Sequence, residues 1–138
     1  MGNLHFDSYT DARTHFKDLL DAADRGRVAT TRRDGRTTAF VDGERLRYFL
    51  ALVCPSRAEV LAEAGGWSAF IPGVPVAADG GSFDEALDEM IIALREYADD
   101  WQDHLLDAPN HSGNWGLVQL VALSTDEQLR EWLTGAPK

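Results

Sequence analysis

Residues 28 to 42 read VATTRRDGRTTAFVD, and this stretch decides the fold of the first third of the chain. Val28 to Arg33 and Arg36 to Val41 are rich in Val, Thr and Phe. Between them Asp34-Gly35 supplies the two positive-φ positions of a type I′ turn, the strongest short-range signal of a β-hairpin. A two-residue loop fixes the register, so that Arg33 stands opposite Arg36 and Arg32 opposite Thr37. Like charges placed across a strand pair disfavour it by a few tenths to about 1 kcal/mol, so either an anion such as phosphate sits between them or both side chains splay into solvent.

Helices flank the hairpin on both sides. Upstream, Ser8 and Asp11 form a capping box with Asp in the usual Glu position. Ala12, Phe16, Leu19, Leu20 and Ala23 then recur at helical spacing until Gly26. Arg13 lies in the first turns of this helix, and free N–H groups near Ser8, Tyr9 and Thr10 offer a second phosphate site. Downstream, Asp42 caps a helix with Leu46, Phe49, Leu50 and Val53 on one face, which Pro55 ends. Ser56 with Glu59 predicts a short linker helix through 58–65, and Gly65-Gly66 marks a domain boundary.

Past that boundary the charge balance inverts. Residues 1–60 carry ten Lys and Arg against nine Asp and Glu, whereas residues 61–138 carry three against fourteen. Arginines gathered in short runs suit a polyanion; a half with net charge −11 repels one and suits a basic protein partner. Trp67 to Ile71 and Val74 to Ala78 read as strands interrupted by Pro72, Gly73 and Pro75. Ser82 and Glu85 box the start of a long helix with the apolar stripe Leu87, Met90, Ile91, Leu94, Tyr97, Ala98 and Trp101. Its other face is almost wholly acidic. Trp115 to Leu123 is an apolar run long enough for a buried strand, and Ser124 with Glu127 caps a last helix bearing Leu129, Trp132 and Leu133.

At 138 residues, 44% hydrophobic and 26% charged, the chain is of globular composition. Halves this small gain from sharing a core with a second copy. The lone Cys54 excludes an internal disulfide framework and reads as a small core residue. No apolar run approaches the roughly 20 residues of a membrane helix, no secretory leader pattern is present, and the expected compartment is the cytoplasm. Asp79, Asp84, Glu85, Asp88 and Glu89 are dense enough for a two-metal hydrolase. Helix capping and the helix dipole explain them locally, so a solvated or partner-facing acidic surface is preferred. His104, Asp107 and His111 match no common zinc spacing, and no cofactor or metal is expected. The four tryptophans read as packing residues, with one exposed Trp a possible anchor for a partner.

The segment FDSYTDARTHFKDLLDAADRGRVATTRRDGRTTAFVDGERLRYFLA resembles the N-terminal region of Phd/YefM antitoxins in its order of strand, S-x-x-x-A-R helix, threonine-arginine hairpin and short helix, over about residues 3–56. That resemblance implies a homodimer or higher even oligomer binding operator DNA in its own promoter, with Ser8, Tyr9, Thr10, Arg13, Arg32, Arg33 and Arg36 as DNA contacts. WSAFIPGVPVAADGGSFDEALDEMIIALREY resembles the core of HicB-type antitoxins, in which an aromatic strand, a Pro-centred strand end, a Gly turn and a capped helix build a partial ribonuclease-H-like fold. The match is centred on residues 66–101 within a domain of about 66–133. It implies docking on a ribonuclease-type toxin. The expectation is therefore an α+β antitoxin, not an enzyme: a Phd/YefM-like DNA-binding and dimerisation domain over 1–57, a linker helix over 58–65, and an acidic HicB-like toxin-binding domain over 66–138. Asp84, Asp88, Asp99, Asp100 and Asp103 are the toxin-facing carboxylates. The alternative is a stand-alone interaction or dimerisation module without an operator; a carboxylate hydrolase is a remote third.

Overall fold

The computed structural model describes residues 4–135 as an α+β chain of two compact units, one up to Tyr48 and the other from Phe49. The division falls inside a helix, upstream of the glycine pair at 65 and 66.

The first unit is a three-stranded sheet with helices. Strand β1 (His5–Phe6) runs parallel to β2 (Ala29–Arg33), which pairs antiparallel with β3 (Arg36–Phe40). The hairpin has the register read from sequence, with Arg33 opposite Arg36 and Arg32 opposite Thr37. Asp34 and Gly35 have φ of +52° and +78°, the signature of the type I′ turn. The helix read as continuous from Ser8 to Ala23 is instead two, α1 (Tyr9–Thr14) and α2 (Phe16–Asp24), broken at His15. His15 leaves helical geometry at φ −109° and ψ 30°. Its ring Nδ1 bonds the Asp11 carbonyl at 2.9 Å, and its face stacks on Phe6 at 5.0 Å. A small core of Ala12, Leu19, Ala22 and Ala29 results, with Leu4, Phe6 and Phe40 against it. Phe16 and Leu20, assigned inward by helical spacing, are about half exposed because the break turns α2. Helix α3 (Gly43–Val53) begins where Asp42 Oδ2 accepts from Arg45 N at 3.0 Å.

The second unit begins with a correction. Residues 59–63, expected to be helical, form strand β4 (Glu59–Glu63), antiparallel to β5 (Gly66–Phe70), which pairs with β6 (Ala77–Gly80). Ser56 caps no helix: its hydroxyl takes the Ala58 N–H at 3.3 Å in a local turn. Gly65, at φ +83°, closes the β4–β5 loop. The later strand is shifted toward the C-terminus, since the Pro72-to-Pro75 bend occupies the positions before it.

Helix α4 (Phe83–Asp100) lies on this sheet. Ser82 Oγ accepts from Glu85 N at 3.1 Å, and Glu85 Oε1 accepts from Gly81 N at 2.6 Å, so the capping box reaches one residue further back than its usual form. All seven residues of the predicted stripe are buried, against Ala69, Ile71 and Val76 of the sheet side. Gly80 is required here, because a Cβ on it would lie 2.4 Å from Ala86 N and 2.8 Å from the Glu85 carbonyl carbon.

A single π-helical turn (Trp101–Leu105) ends α4, and a 3₁₀ turn (Ser112–Asn114) leads into α5 (Trp115–Leu123). The run read as a buried strand is thus a helix. A segment apolar on nearly all sides carries no period to separate the two, and a nine-residue length admits both. The last helix, α6 (Asp126–Thr134), is boxed by Thr125 and Gln128, one residue beyond the predicted Ser124 and Glu127. Ser124 serves the preceding helix instead, donating to the Leu120 carbonyl at 2.6 Å. Val118, Val121, Leu129 and Leu133 complete the core with α4.

Candidate functional site

The arginines of the first unit are placed by the hairpin and by α1. Ser8, in extended geometry, accepts from Asp11 N at 3.1 Å, which starts α1 and directs Tyr9 and Arg13 to one face. Tyr9 is 53% exposed, yet the Arg13 guanidinium carbon lies 5.9 Å from its ring centre and that of Arg33 lies 5.4 Å away. The tyrosine thus joins α1 to the hairpin tip in one cationic cluster. Cation–π contacts of this kind contribute about 0.5–1 kcal/mol at exposed sites. They hold the two guanidinium groups near each other while leaving their N–H edges available to an anion.

Arg32 is committed differently. Its guanidinium donates to Thr37 Oγ1 at 3.4 Å and to the Gly35 carbonyl at 3.3 Å, bracing the tip. Arg33 has the Asp34 carboxylate 4.0 Å away, and Arg36 faces it across the ladder. Thr10 serves α1 through its carbonyl, which accepts from the Thr14 hydroxyl at 3.0 Å. The six-residue α1 is too short to contribute much dipole, and Ser8 already occupies one of its N-terminal donors, so the helix-end phosphate site read from sequence is weaker than the arginine cluster. His5 ties β1 down, with Nδ1 2.7 Å from Thr30 Oγ1 and Nε2 2.9 Å from Asp7 Oδ1. Elsewhere on α2, the Asp21 carboxylate hydrogen-bonds the Lys17 ammonium at 2.7 Å and holds its pKa above the ordinary lysine value.

The five acidic candidates of the second unit separate into two groups. Asp84 and Asp88, one turn apart on α4, both pair with Arg130 of α6, Asp84 at 3.5 Å. These two carboxylates are relieved within the chain, an arrangement the charge count did not reveal. Asp99 and Asp100 end α4 and Asp103 lies in the π turn; all three are exposed. Carboxylates at the C-terminal end of a helix face its negative pole, so this group gains most from an external cation.

Between these groups a polar network fixes the 107–114 loop. Tyr97 OH meets His111 Nδ1 at 2.8 Å and accepts from Asn114 Nδ2 at 2.8 Å, while Trp101 Nε1 donates to the His111 carbonyl at 2.8 Å. The sequence alone, which discounts a metal at His104, Asp107 and His111, does not reveal this role of His111; Tyr97 and Trp101 on the apolar stripe were the available signal, since buried Tyr and Trp need partners for their polar ends. Among the described residues no group of three His, Cys, Asp or Glu side chains is placed to hold a metal ion.

The architecture has a counterpart. The fold is similar to that of a solved antitoxin. The crystal structure of an antitoxin part of a proposed toxin/antitoxin system from Syntrophomonas wolfei subsp. wolfei is similar over 96% of this chain and 96% of its own, with a TM-score of 0.79 at 21% identity. No protein-family model and no curated protein matches the sequence. At that identity the likeness speaks for the fold. No helix among the described residues is long and apolar enough to cross a membrane.

Proposed function

We propose that the chain is a non-enzymatic, cytoplasmic antitoxin of a type II toxin-antitoxin system that binds operator DNA and neutralises a toxin. The observation that carries this reading is the likeness to an antitoxin over 96% of both chains. The first unit acts as a Phd/YefM-like module. Arg13 and Arg33, gathered on Tyr9, and Arg36 contact phosphates, with Arg32 stiffening the hairpin that presents them. Phosphate contacts of this kind set affinity and register, while base-edge contacts from the same surface select the operator.

The module works as a homodimer or higher even oligomer. Phe16 and Leu20 on α2 and Val28 and Val41 beside the hairpin are each 39% exposed or more. Apolar side chains in such number exceed what a small monomer usually leaves wet, and a second copy would cover them. The second unit acts as a HicB-like domain of partial ribonuclease-H-like fold, docking a basic ribonuclease-type toxin on its acidic surface, and the β4-β5-β6-α4 order supports that comparison. Toxin binding then adjusts operator affinity by adding valency.

The test is co-expression with the product of the neighbouring open reading frame. A toxic neighbour whose growth arrest is relieved by this chain, and which co-purifies with it, is the expected result. A harmless neighbour with no complex would leave the alternative of a stand-alone dimerisation module.

A further inference from the structure

The outer face of α4 is acidic except at one place. Ile92 is 51% exposed, one turn from Asp88 on one side and from Glu96 on the other, with Glu89 also adjacent on the helical surface. It borders a cleft of about 350 Å³ whose walls are Asp88, Ile91 and Ile92 of α4 and Asp126, Glu127 and Arg130 of α6. A singly exposed isoleucine is ordinary on a protein surface; one set beside a cleft rimmed by carboxylates has the form of a binding groove.

Arg130 in the cleft and Arg95 beside it are already engaged. Arg130 is held by Asp84 and Asp88. Arg95 donates to Asp126 Oδ1, to the Val121 carbonyl at 2.8 Å and to the Ser124 carbonyl at 3.0 Å, closing the end of α5. Neither is available to a ligand without breaking these bonds. The carboxylate of Glu127, at the first turn of α6, has no hydrogen bond or ion pair among the described residues, and neither have those of Glu89 and Glu96. Within the cleft Glu127 is the carboxylate left unneutralised, since Asp88 is held by Arg130 and Asp126 by Arg95, while Glu89 and Glu96 flank Ile92 on the outward face of α4 beyond the cleft.

We infer that the α4–α6 groove docks a basic amphipathic helix of the toxin, one apolar side chain seated on Ile92 between Lys or Arg residues that reach Glu127 across the cleft and Glu89 and Glu96 on the adjoining outward face of α4. This rests on the toxin-neutralising reading above and locates its contact surface, away from the exposed carboxylates at the end of α4. Charge complementarity selects a basic partner, and the exposed isoleucine adds short-range burial to an otherwise salt-sensitive surface.

The experiment uses the full chain and two probes. One is the product of the neighbouring open reading frame. The other is a fluorescein-labelled, 16-residue alanine-based helical peptide carrying Leu on one face between lysines. Ile92→Lys and Glu127→Lys, each checked for an unchanged circular dichroism spectrum and melting temperature, are compared with Asp103→Lys, which changes the charge outside the groove. The expected result is at least a tenfold weakening of both probes by Ile92→Lys and Glu127→Lys, and less than threefold by Asp103→Lys. Equal weakening by all three variants would show a diffuse acidic surface and overturn the groove, as would no weakening by any of them. Peptide binding that follows this pattern while the neighbouring product fails to bind would leave the groove standing and remove the toxin reading. The reverse, a toxin complex indifferent to both groove variants, would overturn the groove alone.

Discussion

Replacing Gly80 by Ala places a methyl group 2.4 Å from Ala86 N, 2.8 Å from the Glu85 carbonyl carbon and 2.9 Å from Ala86 Cα. All three neighbours are backbone, so no rotamer change relieves the clash. The first turn of α4 must retreat from β6 by roughly 1 Å to restore ordinary contact distances, against the close packing of the core. That motion pulls on two bonds that start the helix, Glu85 N to Ser82 Oγ at 3.1 Å and Gly81 N to Glu85 Oε1 at 2.6 Å. Overpacking costs about 1–3 kcal/mol and a weakened N-cap about 1 more, so the expected loss is about 2–4 kcal/mol. For a unit near 90 residues that corresponds to a fall of roughly 10–20 °C in melting temperature. The assay is thermal and urea unfolding followed by circular dichroism, with Gly73→Ala as companion. Gly73 has φ +85° with open space around its would-be Cβ, so its cost is backbone strain alone, about 1 kcal/mol. A Gly80→Ala protein that melts within 2 °C of the parent would refute the close β6–α4 approach on which the placement of the acidic helix depends.

Three further outcomes follow from named contacts. Tyr97→Phe removes the hydroxyl that joins His111 to Asn114 and should cost about 1–3 kcal/mol by urea unfolding, with faster hydrogen exchange in the 107–114 loop. Thr125→Ala breaks the reciprocal box of α6 and should cost about 1 kcal/mol in the same assay. Phe16→Ser with Leu20→Ser, both on the exposed side of α2, should convert a dimer into a 15.2 kDa monomer in sedimentation at micromolar concentration. An assembly unaffected by that pair would place the dimer contact elsewhere.

Sequence and structure agree where local chemistry and tertiary packing point the same way. The Asp34-Gly35 turn set the hairpin register to the residue, because only a two-residue loop with positive φ at both positions joins these strands. The stripe from Leu87 to Trp101 was legible because one helix buries one face. Legibility failed where several states share one local signal. Glu59 to Glu63 reads EVLAE behind a Ser-x-x-Glu pattern, a good helix start by propensity, and becomes a strand because β5 offers it a ladder and Val60 packs on the core. Trp115 to Leu123 is apolar on too many sides to show a period. The break at His15 depends on stacking with Phe6, whose proximity comes from the parallel β1–β2 pair, an arrangement no local pattern encodes. The basic residues of the candidate site were nameable in advance, but their meeting on Tyr9 needed both the hairpin and the helix start in place. The same holds for Arg130, which lies 42 residues beyond Asp88 in sequence and pairs with it in the fold.

The most direct test of the central claim is the salt dependence of binding to the duplex upstream of the chain's own coding sequence. A dimer using Arg13, Arg33 and Arg36 from each protomer makes up to about six phosphate contacts, which predicts a slope of log K against log salt of about −5. Replacing Arg32, Arg33 and Arg36 by Ala removes the Arg33 and Arg36 contacts of both protomers and the brace that presents them, and should flatten that slope by about 4 and abolish binding at physiological salt. A triple variant that binds the same duplex with undiminished affinity and slope would contradict the assignment of this surface to DNA.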